Sequence, residues 1–409
     1  MSHFRYIGQK LFVERLSLSN IIKKNKTPFY LYSESQLKEN YSNFVKNFRK
    51  VNPIVCFAAK ANTNLTILKT LKKLGSGADV VSGGELLKAI KAGIKPNKIV
   101  FSGVGKTEEE LEIAIKKNIL LINVESESEV KLIDKIAKKN KKKISIGFRL
   151  NPNIDAGTHK KISTGKAENK FGISIYSFVN FYKNIKKYKN LKVDALSVHI
   201  GSQILSDIPY KKTLNIVHKV VKKLNIKIKY LDLGGGFGIN YSKSERRLNL
   251  KGYAKAVYNL KKKLGCKIIF EPGRYLVGNT GVIVCKIQYI KKGLKKNFII
   301  LDAGMNDFMR PALYEAVHEI IPVKKNKKKS NKVVEFVGPI CESTCKFINY
   351  KKYQHISEND YVVIMNTGAY GSSLSSNYNT KPLIAELLVN KNKYKVIKKK
   401  QDLSNLIKN

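Results

Sequence analysis

Lys60 lies in Phe57-Ala58-Ala59-Lys60-Ala61-Asn62, where an apolar run ends and alanines flank the amine. A lysine in such a partly desolvated place has a lowered pKa and is suited to Schiff-base chemistry. His199 heads His199-Ile200-Gly201-Ser202-Gln203, and Gly234-Gly235-Gly236 follows Leu231-Asp232-Leu233. A glycine run lets backbone approach a phosphate closely, although a tight turn makes the same demand. Glu271-Pro272-Gly273-Arg274 adds a carboxylate and a guanidinium, the planar donor for carboxylate or phosphate that lysine cannot replace. Each has a plainer reading on its own: a surface lysine, a core histidine, a turn. The glycines do not form the Gly-x-Gly-x-x-Gly dinucleotide pattern.

What must position these groups is a series of short apolar, β-branched runs. They are 54–59, 78–81, 99–101, 120–124, 144–150, 195–200, 230–233 and 268–270. Between them, apolar residues fall three and four apart, as in helices that pack on a sheet. Eight alternating strand–helix units predict a parallel (β/α)8 barrel, with a doubly wound open sheet as the structural rival. Barrel sites form at the C-terminal strand ends. Those ends supply Lys60, then Asp79 and Ser82, then Arg149, then His199 and Ser202, then the glycines, then Glu271 and Arg274. After about residue 275 the texture changes to short β-like runs separated by turns, which predicts a second, mostly antiparallel β domain, sandwich or barrel. The expected division is residues 1–28 packing with the β domain, 29–275 forming the barrel, and 276–409 forming the β domain.

The 409 residues carry a net charge of +48, from 78 Lys+Arg against 30 Asp+Glu. Read alone, that suggests a polyanion partner. Only eight of the basic residues are arginines; the lysines fill nearly every polar stretch, without a recognition helix, an RNP pattern or zinc-finger spacing. The charge therefore reads mainly as a lysine-filled exterior, with no specific nucleic-acid partner. No run is long and apolar enough to span a membrane, and the N-terminus lacks an apolar signal core. Five cysteines, an odd number, point to a reducing, cytoplasmic setting.

A Schiff-base lysine, a phosphate cradle, a deep carboxylate and a ring-stacking imidazole together describe a pyridoxal 5′-phosphate site. That cofactor needs a carboxylate such as Glu271 to keep its pyridine nitrogen protonated. The quoted segments resemble the fold type III pyridoxal-phosphate decarboxylases, the class that includes ornithine, lysine and arginine decarboxylases. Within them the chain is similar to the branch acting on diaminopimelate. That narrower resemblance rests on 77–86, 163–165 with 169–172, 302–307 with 310–314, and 338–343, and it covers about residues 27 to 390.

The resemblance implies that Lys60 carries the cofactor, His199 stacks on its ring and Glu271 pairs with its nitrogen. Asp79, Ser202, Gly235, Gly236, Pro272, Gly273, Arg274 and Tyr370 complete the cofactor set. Arg274, Arg310 and Tyr314 would grip the distal carboxylate of meso-diaminopimelate, with Glu342 on its amino group and Tyr370 nearby. Cys341 would protonate the α-carbon, and the Cys341–Glu342 segment would reach into the partner subunit of a homodimer with shared active sites. The segment 155–171 is expected to be a mobile lid. Cys345 stands where the family usually has aspartate; Cys341 and Cys345 have no second pair, and no metal is expected. The alternatives are another decarboxylase of this fold, acting on ornithine, arginine, lysine or a carboxynorspermidine-type substrate, and a non-catalytic pyridoxal-phosphate-binding protein.

Overall fold

The computed structural model describes residues 3–157, 159–242, 248–329 and 332–408. The chain divides into two compact units: Tyr41–Ile239 with Arg246–Tyr275, and Met1–Asn40 with Asn240–Glu245 and Leu276–Asn409.

The first unit is a closed parallel barrel. Its strands, in spatial and chain order, are Ile54–Ala58, Gly77–Val80, Ile99–Phe101, Leu121–Val124, Ile144–Asn151, Leu191–Val198, Tyr230–Asp232 and Lys267–Phe270. Pairing of Ile269 with Ile54 closes the ring, which excludes the open-sheet rival. The small, apolar side chains of Cys56, Val100, Leu121, Ala195 and Ile269 form one buried layer. Gly147 is required beside them, because a Cβ there would stand 2.5 Å from the Asn123 Oδ1. Helices after the strands start on side-chain caps: Asn64, Ser82, Thr107 and Ser126 each accept an N–H from the first turn, at 2.9 to 3.3 Å. These caps end the loops quickly and hold the strand tips in place. Helix Glu127–Lys139 buries Val130, Ile133, Ile136 and Ala137 and leaves Lys131, Lys135, Lys138 and Lys139 exposed, which is how this chain carries its lysines.

In the second unit one sheet runs Lys346–Tyr350, Val333–Val337, Lys296–Leu301, Gly281–Lys292, Phe29–Ser33, Ala385–Asn390 and Lys393–Lys398. Strand Tyr361–Ile364 also pairs with Gly281–Lys292, and Ile320–Pro322 pairs with it in turn. Most pairings are antiparallel; Lys296–Leu301 with Val333–Val337 and Phe29–Ser33 with Ala385–Asn390 are parallel. Alternate residues Phe29, Leu31, Val282, Val284, Leu387 and Val389 form the core, joined by Phe4, Leu11, Val13, Leu18 and Ile21. The barrel was expected to begin at residue 29. Strand Phe29–Ser33 instead lies between Gly281–Val284 and Ala385–Val389, so this unit extends to Asn40. An apolar run with buried residues throughout looks alike in either context.

Candidate active site

The strand ends of the barrel bring together twelve of the residues singled out from the sequence. Lys60 lies in the single turn Ala59–Ala61 just after the first strand, with its ammonium 3.5 Å from Asp79 Oδ2 and its side chain 40% exposed. Asp79 is buried in the second strand, and its Oδ1 has no partner among the described residues. Ser82, at the same tip, is a helix cap. Gly273 packs against this turn: a Cβ on it would stand 3.1 Å from the Cβ atoms of both Ala58 and Ala61.

His199 follows the sixth strand, and its Nδ1 accepts the Gly235 N–H at 3.1 Å, which leaves the proton of the neutral ring on Nε2. Desolvation, then the nearby cations Arg149 and Lys60, hold this imidazole well below its usual range. A neutral ring is the form suited to stacking against another ring. Arg149 itself is committed elsewhere: it pairs with the buried Glu125 at 2.8 Å and lies 4.8 Å over Phe171.

The phosphate-cradle candidates converge. Arg274 Nη2 donates to the Ser202 hydroxyl at 3.0 Å. Gly236, at φ +88°, would with a Cβ come within 2.4 Å of the Gly201 carbonyl, and Gly235 within 2.2 Å of the Glu271 carbonyl. Side chains are therefore excluded from this backbone, and the buried Pro272 and Gly273 continue the same rim.

Glu271 is buried beneath it. Burial, then Asp232 and Asp79, raise its pKa well above the carboxylate range, while burial also raises Asp232. Three buried carboxyl groups thus cluster here, and Lys60 is the cation that partly offsets the rise at Glu271. The pocket is short of positive charge, and a protonated pyridine nitrogen supplies it, so the residues present fit pyridoxal phosphate. Sequence reasoning missed Asp232, Asn123 and Ser102, which link to Glu271 below the rim. The only sequence signal was polar residues within, or directly after, apolar strands.

The segment 155–171, expected to be a mobile lid, includes position 158, which lies outside the described residues. Around it the chain is bonded down. The Ser202 N–H donates to Ile162 O at 3.1 Å, and the Asn151 amide donates to the carbonyls of Lys166 and Phe171 at 2.8 and 3.1 Å.

The remaining candidates belong to the β unit. Arg310 is buried on the short helix Arg310–Tyr314; its Nη1 lies 2.5 Å from the Tyr241 hydroxyl and its guanidinium 4.9 Å over that ring. Tyr314 on the same helix is half-buried. Cys341 and Glu342 are exposed on a turn and have other partners: Asn379 Nδ2 lies 3.3 Å from the Cys341 sulfur, and Tyr378 donates to Glu342 at 2.6 Å. That bond raises the Tyr378 pKa. Cys345 is buried, and its thiol accepts the Met305 N–H at 3.3 Å. Tyr370 holds a left-handed backbone at φ +54°. Among the described residues no helix is long and apolar enough to cross a membrane.

A family profile described as "Pyridoxal-dependent decarboxylase, pyridoxal binding domain" matches residues 34–278. The chain is 40% identical over 408 residues to the diaminopimelate decarboxylase of Aquifex aeolicus, covering 99% of this chain and 96% of that one. It is 42% identical to the Helicobacter pylori protein of the same name, over 94% of this chain and 96% of that one. The crystal structure of the Helicobacter pylori enzyme complexed with L-lysine superposes with a TM-score of 0.90 at 41% identity, covering 95% of this chain and 98% of that chain.

Proposed function

Since the chain belongs to the pyridoxal-dependent decarboxylases, we propose that it converts meso-2,6-diaminopimelate to L-lysine and carbon dioxide, the last step of lysine synthesis, with pyridoxal 5′-phosphate as cofactor. The observation that carries the substrate is the match over 99% of the chain to a relative named for that activity. The cofactor reading is supported by the charge-short pocket around Lys60, Asp79 and Glu271.

Lys60 would hold the cofactor, with the neutral His199 against one face of the ring and Glu271 at its nitrogen. Ser202, Gly235, Gly236, Gly273, Arg274 and Tyr370 would hold the phosphate, with Pro272 shaping the rim and Asp79 beside Lys60. Bound there, pyridoxal phosphate supplies an electron-accepting ring that makes loss of carbon dioxide from an amino acid feasible. Diaminopimelate carries an amino-acid group at each end, so specificity requires a grip on the distal carboxylate. Arg310 and Tyr314, with Arg274, provide bidentate and hydroxyl donors for it, and Glu342 suits the distal ammonium. The Cys341 thiol delivers a proton to the α-carbon once carbon dioxide has left. Exposure of Cys341 and Glu342 on this chain favours a homodimer in which they serve the partner's site. Five free thiols suit the cytoplasm.

The test is to incubate the protein with pyridoxal phosphate and meso-diaminopimelate and to assay lysine, with borohydride trapping followed by peptide mapping. Lysine release and label on Lys60 are expected. Absence of label would overturn the cofactor reading. Label without lysine would overturn the substrate, and ornithine, arginine and lysine as parallel substrates would identify the rival.

A further inference from the structure

Asp232 ends the seventh barrel strand, is fully buried, and has no part in the chemistry described above. Its carboxylate is well supplied with donors. Oδ1 accepts the Gly234 N–H at 2.9 Å, and Oδ2 accepts the Asn123 amide at 2.8 Å and the Ser197 hydroxyl at 3.5 Å. Asn123 and Ser102 connect it to Glu271, and the two buried carboxyl groups shift each other's pKa. The donor to Glu271 among the described residues is the Ser102 hydroxyl, at 3.4 Å, which in turn accepts an Asn123 N–H at 3.2 Å.

Two carboxyl groups that share a buried site do not both ionise readily, and one keeps a proton. The donors decide which: the acid that receives three stays ionised, and the acid that receives one keeps the proton. We propose that Asp232 is a positioning residue that fixes the proton of this pair on Glu271, so that the cofactor-free pocket presents a protonated Glu271 where the ring nitrogen of pyridoxal phosphate would lie. This rests on the cofactor reading above and adds a proton address to it. Of the other groups around the pair, Asp79 on the second strand favours the proton on Glu271 and Lys60 opposes it. Cys56 on the first strand is neutral, since burial and then the same carboxylates push its thiol well above its usual range.

The test uses the cofactor-free full chain and infrared difference spectroscopy. A protonated-carboxyl band lost in Glu271→Gln is assigned to Glu271 and followed with pH. In the wild type the band is expected to persist through neutral pH. In Asp232→Asn its midpoint is expected to fall by about one pH unit or more, because a facing negative charge has gone. Ser102→Ala, which alters less of the core, moves the midpoint the opposite way, upward, because it removes the donor that favours ionised Glu271. No band assignable to Glu271 at neutral pH, or equal midpoints in wild type and Asp232→Asn, would overturn the proposal. Borohydride trapping after pyridoxal phosphate is added to the same preparations separates the two readings. An untrapped wild type overturns the cofactor site, whereas normal trapping with an unmoved midpoint overturns only the role of Asp232.

Discussion

Replacing Arg149 by Met tests whether the barrel rim is as dry as its geometry implies. The guanidinium donates to Glu125 Oε1 at 2.8 Å while Glu125 Oε2 accepts the Gly172 N–H at 2.8 Å, and the two side chains are 8% and 3% exposed. Methionine keeps most of the stem and its packing on Phe171, so the change isolates the charge. Loss of one partner of a buried pair leaves an uncompensated charge and costs about 3–5 kcal/mol. Against a total stability of about 5–15 kcal/mol, that is a large share. Glu125→Gln with Arg149→Met removes both charges and still offers an acceptor to Gly172, so most of the loss should be recovered. The assay is urea unfolding followed by far-ultraviolet circular dichroism on wild type, both single variants and the double variant. If Arg149→Met alone costs less than about 1 kcal/mol, the pair behaves as an exposed one and the argument from burial is wrong.

Gly235→Ala places a Cβ 2.2 Å from the Glu271 carbonyl, a backbone atom that cannot swing aside; a loss of about 1–3 kcal/mol in thermal unfolding and weaker cofactor binding in a fluorescence titration are expected. Tyr241→Phe removes the hydroxyl that Arg310 contacts at 2.5 Å, and steady-state assays should show KM for diaminopimelate rising roughly fivefold, about 1 kcal/mol, with kcat held. Cys341→Ala should lower kcat by about a hundredfold or more while borohydride trapping at Lys60 persists. Burial pushes the Glu14 carboxyl up, but bonds from the Ser35 N–H, the Ser33 and Ser35 hydroxyls and the Lys391 N–H outweigh it and hold the pKa below the carboxylate range. Its stabilisation is therefore present above the unfolded value near ~4.3 and is lost as pH falls through the folded value, so Glu14→Gln should flatten the acid side of the stability–pH curve.

The eight barrel strands were readable because each is an apolar run, four of them followed by a capped helix start, and the chemistry lies at the tips of those runs. Strands Ile320–Pro322 and Lys393–Lys398 were not, the first being three residues with a proline and the second a lysine-rich edge whose residues are mostly exposed. Lys60, His199 and Glu271 stood out through residue type and position together. Asp232, Asn123 and Ser102 did not, because a polar residue in a strand usually faces water, and only barrel closure turns these three inward. The Arg149–Glu125 and Arg310–Tyr241 partnerships join segments with no shared period, so no spacing rule could reveal them.

Phe29–Ser33 pairs on one side with Gly281–Val284 and on the other with Ala385–Val389. During synthesis, that strand leaves the ribosome long before either neighbour exists, whereas every strand of the barrel is made between them. At about 5–20 residues per second, its backbone donors and acceptors stay unmatched for tens of seconds while the barrel can already close. The order of assembly is thereby set by chain connectivity, with the β unit sealed last by the C-terminal strands. A chain that stops short of Ala385 strands its own N-terminus beside an open edge, which makes late truncation a hazard of aggregation as well as of lost activity.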